Sequence, residues 1–409
     1  MRAYRELLAL PGVLRLLLSV IPGRLAYSMI TLATYFYVHD VTGSITVAGL
    51  ATGAETIASS VTAGIRGGAI DRFGQTRPLA LFVPSWALAV LAMSHQHSGT
   101  ALVIACTCVG LASPPINLSA RPLWRVAVGA DGLRTAYALD TTVMSAMTVV
   151  GPFVVTAIAL QASPAAALAA TAVSMVTGGA LMITMPLSRA WRPEVVPSIT
   201  RALLANRAFR LLAVEGMIFG VGWGLLEISI PSVATLSGRP GAAAPLMAAL
   251  AAAGIVGGLV LGAARIPVSP LRGFRYAQVA LAVSCLPLAA TSPGWSMGVV
   301  LALMGLCVGF AQVYHWEVVE AVRPHGAATS AQAWLWTMEG SMLAVGTAAG
   351  GYIVEHVSPR LALAGPAVFV TAATVFVWVV ASSAWQEADR PLTDLEVADA
   401  LADLEATSE

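Results

Sequence analysis

The chain has 409 residues, 57% of them hydrophobic and 11% charged, with a formal net charge of +1. About a quarter of the residues of a soluble domain are charged, so this composition excludes an ordinary string of soluble domains. It also excludes a nucleic-acid surface, because every basic residue is arginine and none forms a patch interleaved with aromatics. The four cysteines, Cys106, Cys108, Cys285 and Cys307, lie in apolar runs with neither disulfide-framework nor zinc spacing, and read as packing residues.

A helix crossing a ~30 Å hydrocarbon layer needs about 20 apolar residues. Charge clusters and turn residues divide the sequence into such runs at 12–38, 44–65, 78–96, 101–121, 135–160, 164–186, 208–232, 242–264, 274–292, 295–318, 328–353 and 360–384. The N-terminal segment carries Arg2, Arg5 and Arg15 and continues as an apolar run too long for a cleaved signal peptide, which predicts a retained first span. The segment from Leu187 to Arg207, rich in arginine and proline, parts six spans from six. The expected organisation is an N-terminal six-helix bundle at 1–187, a cytoplasmic linker at 188–207, a C-terminal six-helix bundle at 208–385 and an acidic cytoplasmic tail at 386–409. With the N-terminus cytoplasmic, 19 of the 22 arginines fall at cytoplasmic span ends, loops or tails, Arg239 and Arg360 at the outside and Arg24 deep within a span, which predicts cytoplasmic termini.

Ionisable groups inside the layer cost about 2.5 kcal/mol or more and need a partner or a purpose. Arg24 in the first span and Glu55 in the second lie at similar depth on antiparallel neighbours, so they are candidates for a pair. Tyr27, Ser28, Thr31 and Tyr35 follow Arg24 at three- and four-residue steps and share a helix face. The seventh span holds Glu215 and Glu227, about 18 Å apart along the axis, with Trp223 between them. Glu339 sits mid-span in the eleventh helix, and Asp140 one or two turns inside the fifth. Pro114 and Pro115 predict a kink beside Asn117, and the carbonyls freed there need polar partners. Gln312 is a polar group near the end of the tenth span.

The loop after the second span reads Gly67-Gly68-Ala69-Ile70-Asp71-Arg72-Phe73-Gly74-Gln75-Thr76-Arg77. It resembles the signature of the major facilitator superfamily in both spacing and loop position. The resemblance implies an all-α integral membrane protein of twelve transmembrane helices in two pseudo-symmetric bundles. It implies a conformational latch at Gly67, Asp71, Arg72, Gly74 and Arg77, to which Asp140 is an added candidate. It also implies a cavity lined by the first, fourth, seventh and tenth helices, with Arg24, Tyr27, Thr31, Tyr35, Asn117, Trp223 and Gln312 as candidate lining. Gly151-Pro152 resembles the Gly-Pro of a motif in exporters of that superfamily, although Met147 replaces an earlier glycine. Cys106 stands where many proton-coupled members carry an arginine.

No phosphate-binding loop for ATP is present, so a gradient must supply the energy. The expected function is secondary active transport by alternating access: proton-coupled export of a small amphipathic drug or metabolite across a bacterial inner membrane. Glu55, Glu227, Glu339 and Glu215 are the proton-carrying candidates, in that order. The alternatives are a proton-coupled importer or a facilitative uniporter, and more remotely a non-transporting sensor or a membrane enzyme. The expected partners are a small-molecule substrate, protons and lipid, with no cofactor, no metal, no nucleic acid and, by the resemblance, a monomeric state.

Overall fold

In the computed structural model the described residues are 2–10, 12–191, 205–263, 268–322 and 328–380. Most of the expected linker, at 192–204, and the expected acidic tail lie outside them. Among the described residues the only regular structure is helical. A short α1 (Arg2–Ala9) precedes α2 (Val13–Thr42), α3 (Ile45–Phe73), α4 (Thr76–Met93), α5 (Gly99–Leu111), α6 (Ile116–Gln161), α7 (Pro164–Thr184) and a five-residue α8 (Pro186–Ala190). The second bundle comprises α9 (Arg207–Leu236), α10 (Ala243–Ala263), α11 (Pro270–Cys285), α12 (Trp295–Val322), α13 (Ala328–His356) and α14 (Pro359–Val379). Nine described segments are long and apolar enough to cross a membrane. One apolar cluster draws mainly on α1 to α8. Two more draw on α9 to α14.

The connections follow local chemistry. Gly43 ends α2 with φ +66°, a conformation that disfavours a side chain, and Ser44 then caps α3 by accepting from the Val47 N–H at 3.2 Å. Ser98, Ser163 and Asn206 cap α5, α7 and α9 in the same way. We call the end bearing Gly43, Ser163 and Ser358 the far end, and the end bearing the N-terminus the near end.

The expected fourth span, 101–121, is broken. Helix α5 stops at Leu111, residues 112–115 leave the helix, and α6 begins at Ile116. Pro114 and Pro115 explain the break, since neither donates a backbone hydrogen bond. Helix α6 then runs 46 residues across the expected fifth boundary. It is not straight. Sixteen residues of straight helix span about 24 Å, yet the Trp124 indole N–H donates to Asp140 Oδ1 at 2.7 Å. The segment doubles back between these residues, and its two limbs supply the last part of the fourth pass and the whole of the fifth. The second helix also outruns its expected end at 65, because Gly67 and Gly68 continue it to Phe73.

The two bundles repeat each other. Gly110 packs against the Glu55 carbonyl, and Gly305 packs against the Leu250 carbonyl. Ser163-Pro164 opens α7, and Ser358-Pro359 opens α14. They meet along α3 and α13, where small residues bring the backbones together: Gly49 lies against Gly351, and Gly53 against Ala344.

Candidate functional site

Arg24 is buried at 4% exposure, and its guanidinium does not pair with Glu55. It pairs with Asp140, at 2.8 Å to Oδ1 and 2.9 Å to Oδ2. Its other donors reach the Asp140 carbonyl and the Asn117 amide oxygen, each at 3.1 Å. This corrects two expectations at once: Arg24 and Glu55 are not partners, and Asp140 is held by Arg24 rather than grouped with Arg72. Only the folding back of α6 brings Asn117 and Asp140 onto one guanidinium and Trp124 onto Asp140.

Glu55 lies on α3 at 8% exposure, and its Oε2 has no hydrogen-bond partner. Glu227 of α9, in the other bundle, lies within its electrostatic reach. Tyr27 points to the same region, facing Ser113 and within electrostatic range of Arg66 and Glu55. Tyr35 is buried near the far end, where its hydroxyl donates to Thr235 across the bundles at 3.4 Å. Thr31 is half-buried between these two tyrosines. Trp223 stacks on Phe219 at 5.7 Å between centroids, one turn before Glu227.

Arg66 escaped the sequence reading, in which it belonged to the cytoplasmic boundary. It is 6% exposed and donates to the carbonyls of Ser113 and Ser59. Those groups include the end of the broken fourth pass. A cation at a helix C-terminus meets the negative end of the dipole. The double proline was the available signal, because a break there demands a donor from elsewhere.

A cavity of about 110 Å³ lies within the second bundle, between α9, α11, α12 and α13. Glu215, Gln278, Gln312, His315 and Glu339 supply its polar wall, with Phe219, Trp316 and Trp336 among its aromatic lining. Gln278 Nε2 donates to Glu215 Oε1 at 2.6 Å. Glu339 lies over Gly216 and Gly220. The cavity joins Gln312, Glu215 and Glu339. It leaves Arg24 and Asn117 in the first bundle. Gln278 was not expected there.

At the near end, Gly74 terminates α3 with φ +75°. The side chain of Asp71 lies outside the described residues. Gly67 is half-buried, and Arg72 and Arg77 are exposed, with the Arg72 guanidinium 5.3 Å from the Phe73 ring centroid. The loop is anchored by Gln75, 1% exposed, which donates to the Ser119 carbonyl at 2.9 Å and accepts from Ser188 at 3.0 Å. Gly151 and Pro152 are buried, and Gly151 sits directly on Ser28 of α2. Among the described residues no cluster of three or more ligating side chains is placed to hold a metal ion.

No curated protein sequence matches the chain. The family model for the Major Facilitator Superfamily matches residues 16–347. Among solved structures, a point mutant of the nucleoside transporter NupG is similar with a TM-score of 0.73 at 15% identity, covering 92% of this chain and all of that one. A bacterial homologue of the iron transporter ferroportin, in an inward-facing state, gives 0.72 at 14% identity over 90% of this chain and 98% of its own. A bacterial homologue of the human lysosomal transporter Spinster, inward-facing and occupied, gives 0.69 at 14% identity over 93% and 98%. A family model matched over most of the length, with solved structures of the same fold, places the chain: it belongs to the major facilitator superfamily of multi-pass membrane transporters.

Proposed function

We propose that the chain is a proton-coupled exporter of a small amphipathic solute, working by alternating access between its two bundles. The observation that carries this reading is the juxtaposition of Glu55 and Glu227. Two carboxylates from opposite bundles, Glu55 buried and Glu227 half-buried, lie in electrostatic reach with no ion-pair partner among the described residues. In a low-dielectric layer they cannot both remain charged and unpaired, so a proton or a cationic solute must join them. A proton taken there alters the attraction between the bundles, which links protonation to their relative position. The contact of α3 with α13 through Gly49, Gly53 and Gly351 offers the smooth surface on which they move.

In this reading Tyr27, Thr31, Tyr35, Asn117, Trp223 and Gln312 line the solute path, and Arg24 holds α2 to both limbs of α6. Gly67, Asp71, Arg72, Gly74 and Arg77 form the near-end latch. Both termini are cytoplasmic in a bacterial inner membrane. The export direction rests on the partial resemblance of Gly151-Pro152 to the exporter element, and Gly151 packs on Ser28 of α2.

The test uses reconstituted vesicles with an imposed pH gradient and an internal pH-sensitive dye. Amphipathic drugs, sugars, amino acids and organic acids are added in turn. Solute-evoked proton flux should appear with one class and vanish in Glu55→Gln and in Asp71→Asn. The sign of the flux separates export by antiport from uptake by symport. Solute-driven flux that persists undiminished in folded Glu55→Gln would remove Glu55 as the proton carrier.

A further inference from the structure

The two bundles repeat each other's packing, and among the places where they differ one carries charge. The shift along the chain that carries Gly110 to Gly305 and Ser163 to Ser358 also carries Arg24 to Phe219, Asn117 to Gln312 and Asp140 to Leu335. In the first bundle the three residues are a guanidinium, an amide and a carboxylate bonded together at 2.8–3.1 Å. In the second bundle their three counterparts all line the 110 Å³ cavity. Where the first bundle inserts its own cation, the second has a phenyl ring and an open space.

The anions in that space have not been lost. Glu215 lies one helical turn before Phe219 and Glu339 one turn after Leu335, and both line the cavity. They are close enough to interact electrostatically. Neither is in an ion pair among the described residues. Gln278 adds an independent sign. It is 2% exposed, its Nε2 donates to Glu215, and its Oε1 has no partner. A buried acceptor without a donor needs an explanation. Arg275, the nearest guanidinium on the same helix, lies over the Trp378 ring instead.

Two carboxylates and an orphaned amide oxygen ask for a ligand rich in N–H donors and positively charged. The aromatic faces of Phe219 and Trp336 suit a cation with an apolar body. We infer that the cavity of the second bundle binds a small organic cation with a guanidinium or primary ammonium head, seated where the first bundle seats Arg24. This concerns binding at rest, so it stands or falls apart from proton coupling through Glu55.

The experiment titrates the purified full-length protein in detergent with phenylguanidinium, benzylammonium and uncharged benzyl alcohol. Calorimetry and the intrinsic tryptophan fluorescence, to which Trp316 and Trp336 of the cavity wall contribute, report binding without any gradient. The cations should bind saturably and at least tenfold more tightly than the alcohol. Glu215→Gln and Glu339→Gln should each weaken cation binding tenfold or more. Phe219→Arg, which supplies an internal guanidinium, should abolish it while the protein keeps its elution profile and helical content. Should a glutamine variant fail to fold, Phe219→Arg carries the test. Equal affinity for cation and alcohol, no cation binding, or cation binding unchanged in a folded variant overturns the inference.

Discussion

At the residue scale, the Arg24–Asp140 pair shows how a buried charge is tolerated. Both groups are nearly inaccessible, and each uses its remaining hydrogen-bonding capacity on Asn117, Trp124 or backbone. Removing one partner strands the other in a medium that cannot solvate it. Arg24→Ala should therefore lower stability by about 3–5 kcal/mol, measured by thermal unfolding in detergent. The double variant Arg24→Met, Asp140→Leu should recover most of that loss. A double variant no more stable than Arg24→Ala would show that the pair contributes more than mutual neutralisation. Arg24 and Asp140 were each conspicuous in the sequence as charges inside apolar runs. Their pairing was not, because Glu55 is equally close by helix depth. The choice is made by the folding back of α6, a feature no periodicity encodes.

At the element scale, glycine positions decide how closely the helices approach. A side-chain carbon at Gly110 would run into the Glu55 carbonyl and Ala58. Both are close-packed, and the carbonyl is fixed backbone. Gly110→Ala should separate α5 from α3 and cost about 1–3 kcal/mol. At Gly64, on the same α3, nothing lies within 4 Å of such a carbon. Gly64→Ala should be stabilising by about 0.5–1 kcal/mol through helix propensity alone. The two variants have opposite signs, so a chemical or thermal melt of each separates packing from propensity. If both were neutral, the close approach of α5 to α3 would not be setting the fit between these helices. The spans themselves were legible, because each is a run of apolar residues bounded by arginine, glycine or proline. The ends of α3 and α5 were not. Helix α3 continues through two glycines because Arg66 finds carbonyls to satisfy, and α5 stops early because Pro114 and Pro115 cannot donate.

At the scale of the whole molecule, the bundles are clasped at the far end. Glu355, at the last turn of α13 and beyond its apolar stretch, accepts from the Ser44 hydroxyl at 2.8 Å and from the Thr46 N–H. Burial would raise its pKa, but the bonds from Thr46 and Ser44, with His356 alongside, outweigh that and hold the carboxyl below the usual glutamate range. The sign follows from linkage. A lowered pKa means that the clasp is fully formed above the ordinary carboxylate value and is lost as pH falls through the lowered one. Spin labels at His97 and Trp295, on opposite bundles at the far end, should report a longer and broader distance at such pH than at neutrality. Glu355→Ala should show that distance at every pH. A distribution unmoved by either change would mean that the clasp does not hold the far end shut.

Composition alone placed the chain in a membrane, because no soluble core could use so many apolar residues with so few charges. Charge clusters and the Gly67–Arg77 loop then gave the number of passes and the family, since hydrocarbon thickness fixes helix length and a short loop motif survives in one dimension. Residue chemistry marked Arg24, Glu55, Glu215, Glu227 and Glu339 as groups that had to be explained. Which of them meet was decided only in three dimensions. The folding back of α6 gave Arg24 to Asp140, the contact of α3 with α13 brought the bundles together, and the missing counterpart of Arg24 left a cavity beside Glu215 and Glu339. Each is a relation between residues far apart in the chain, and helix packing, not local sequence, sets the distance between them.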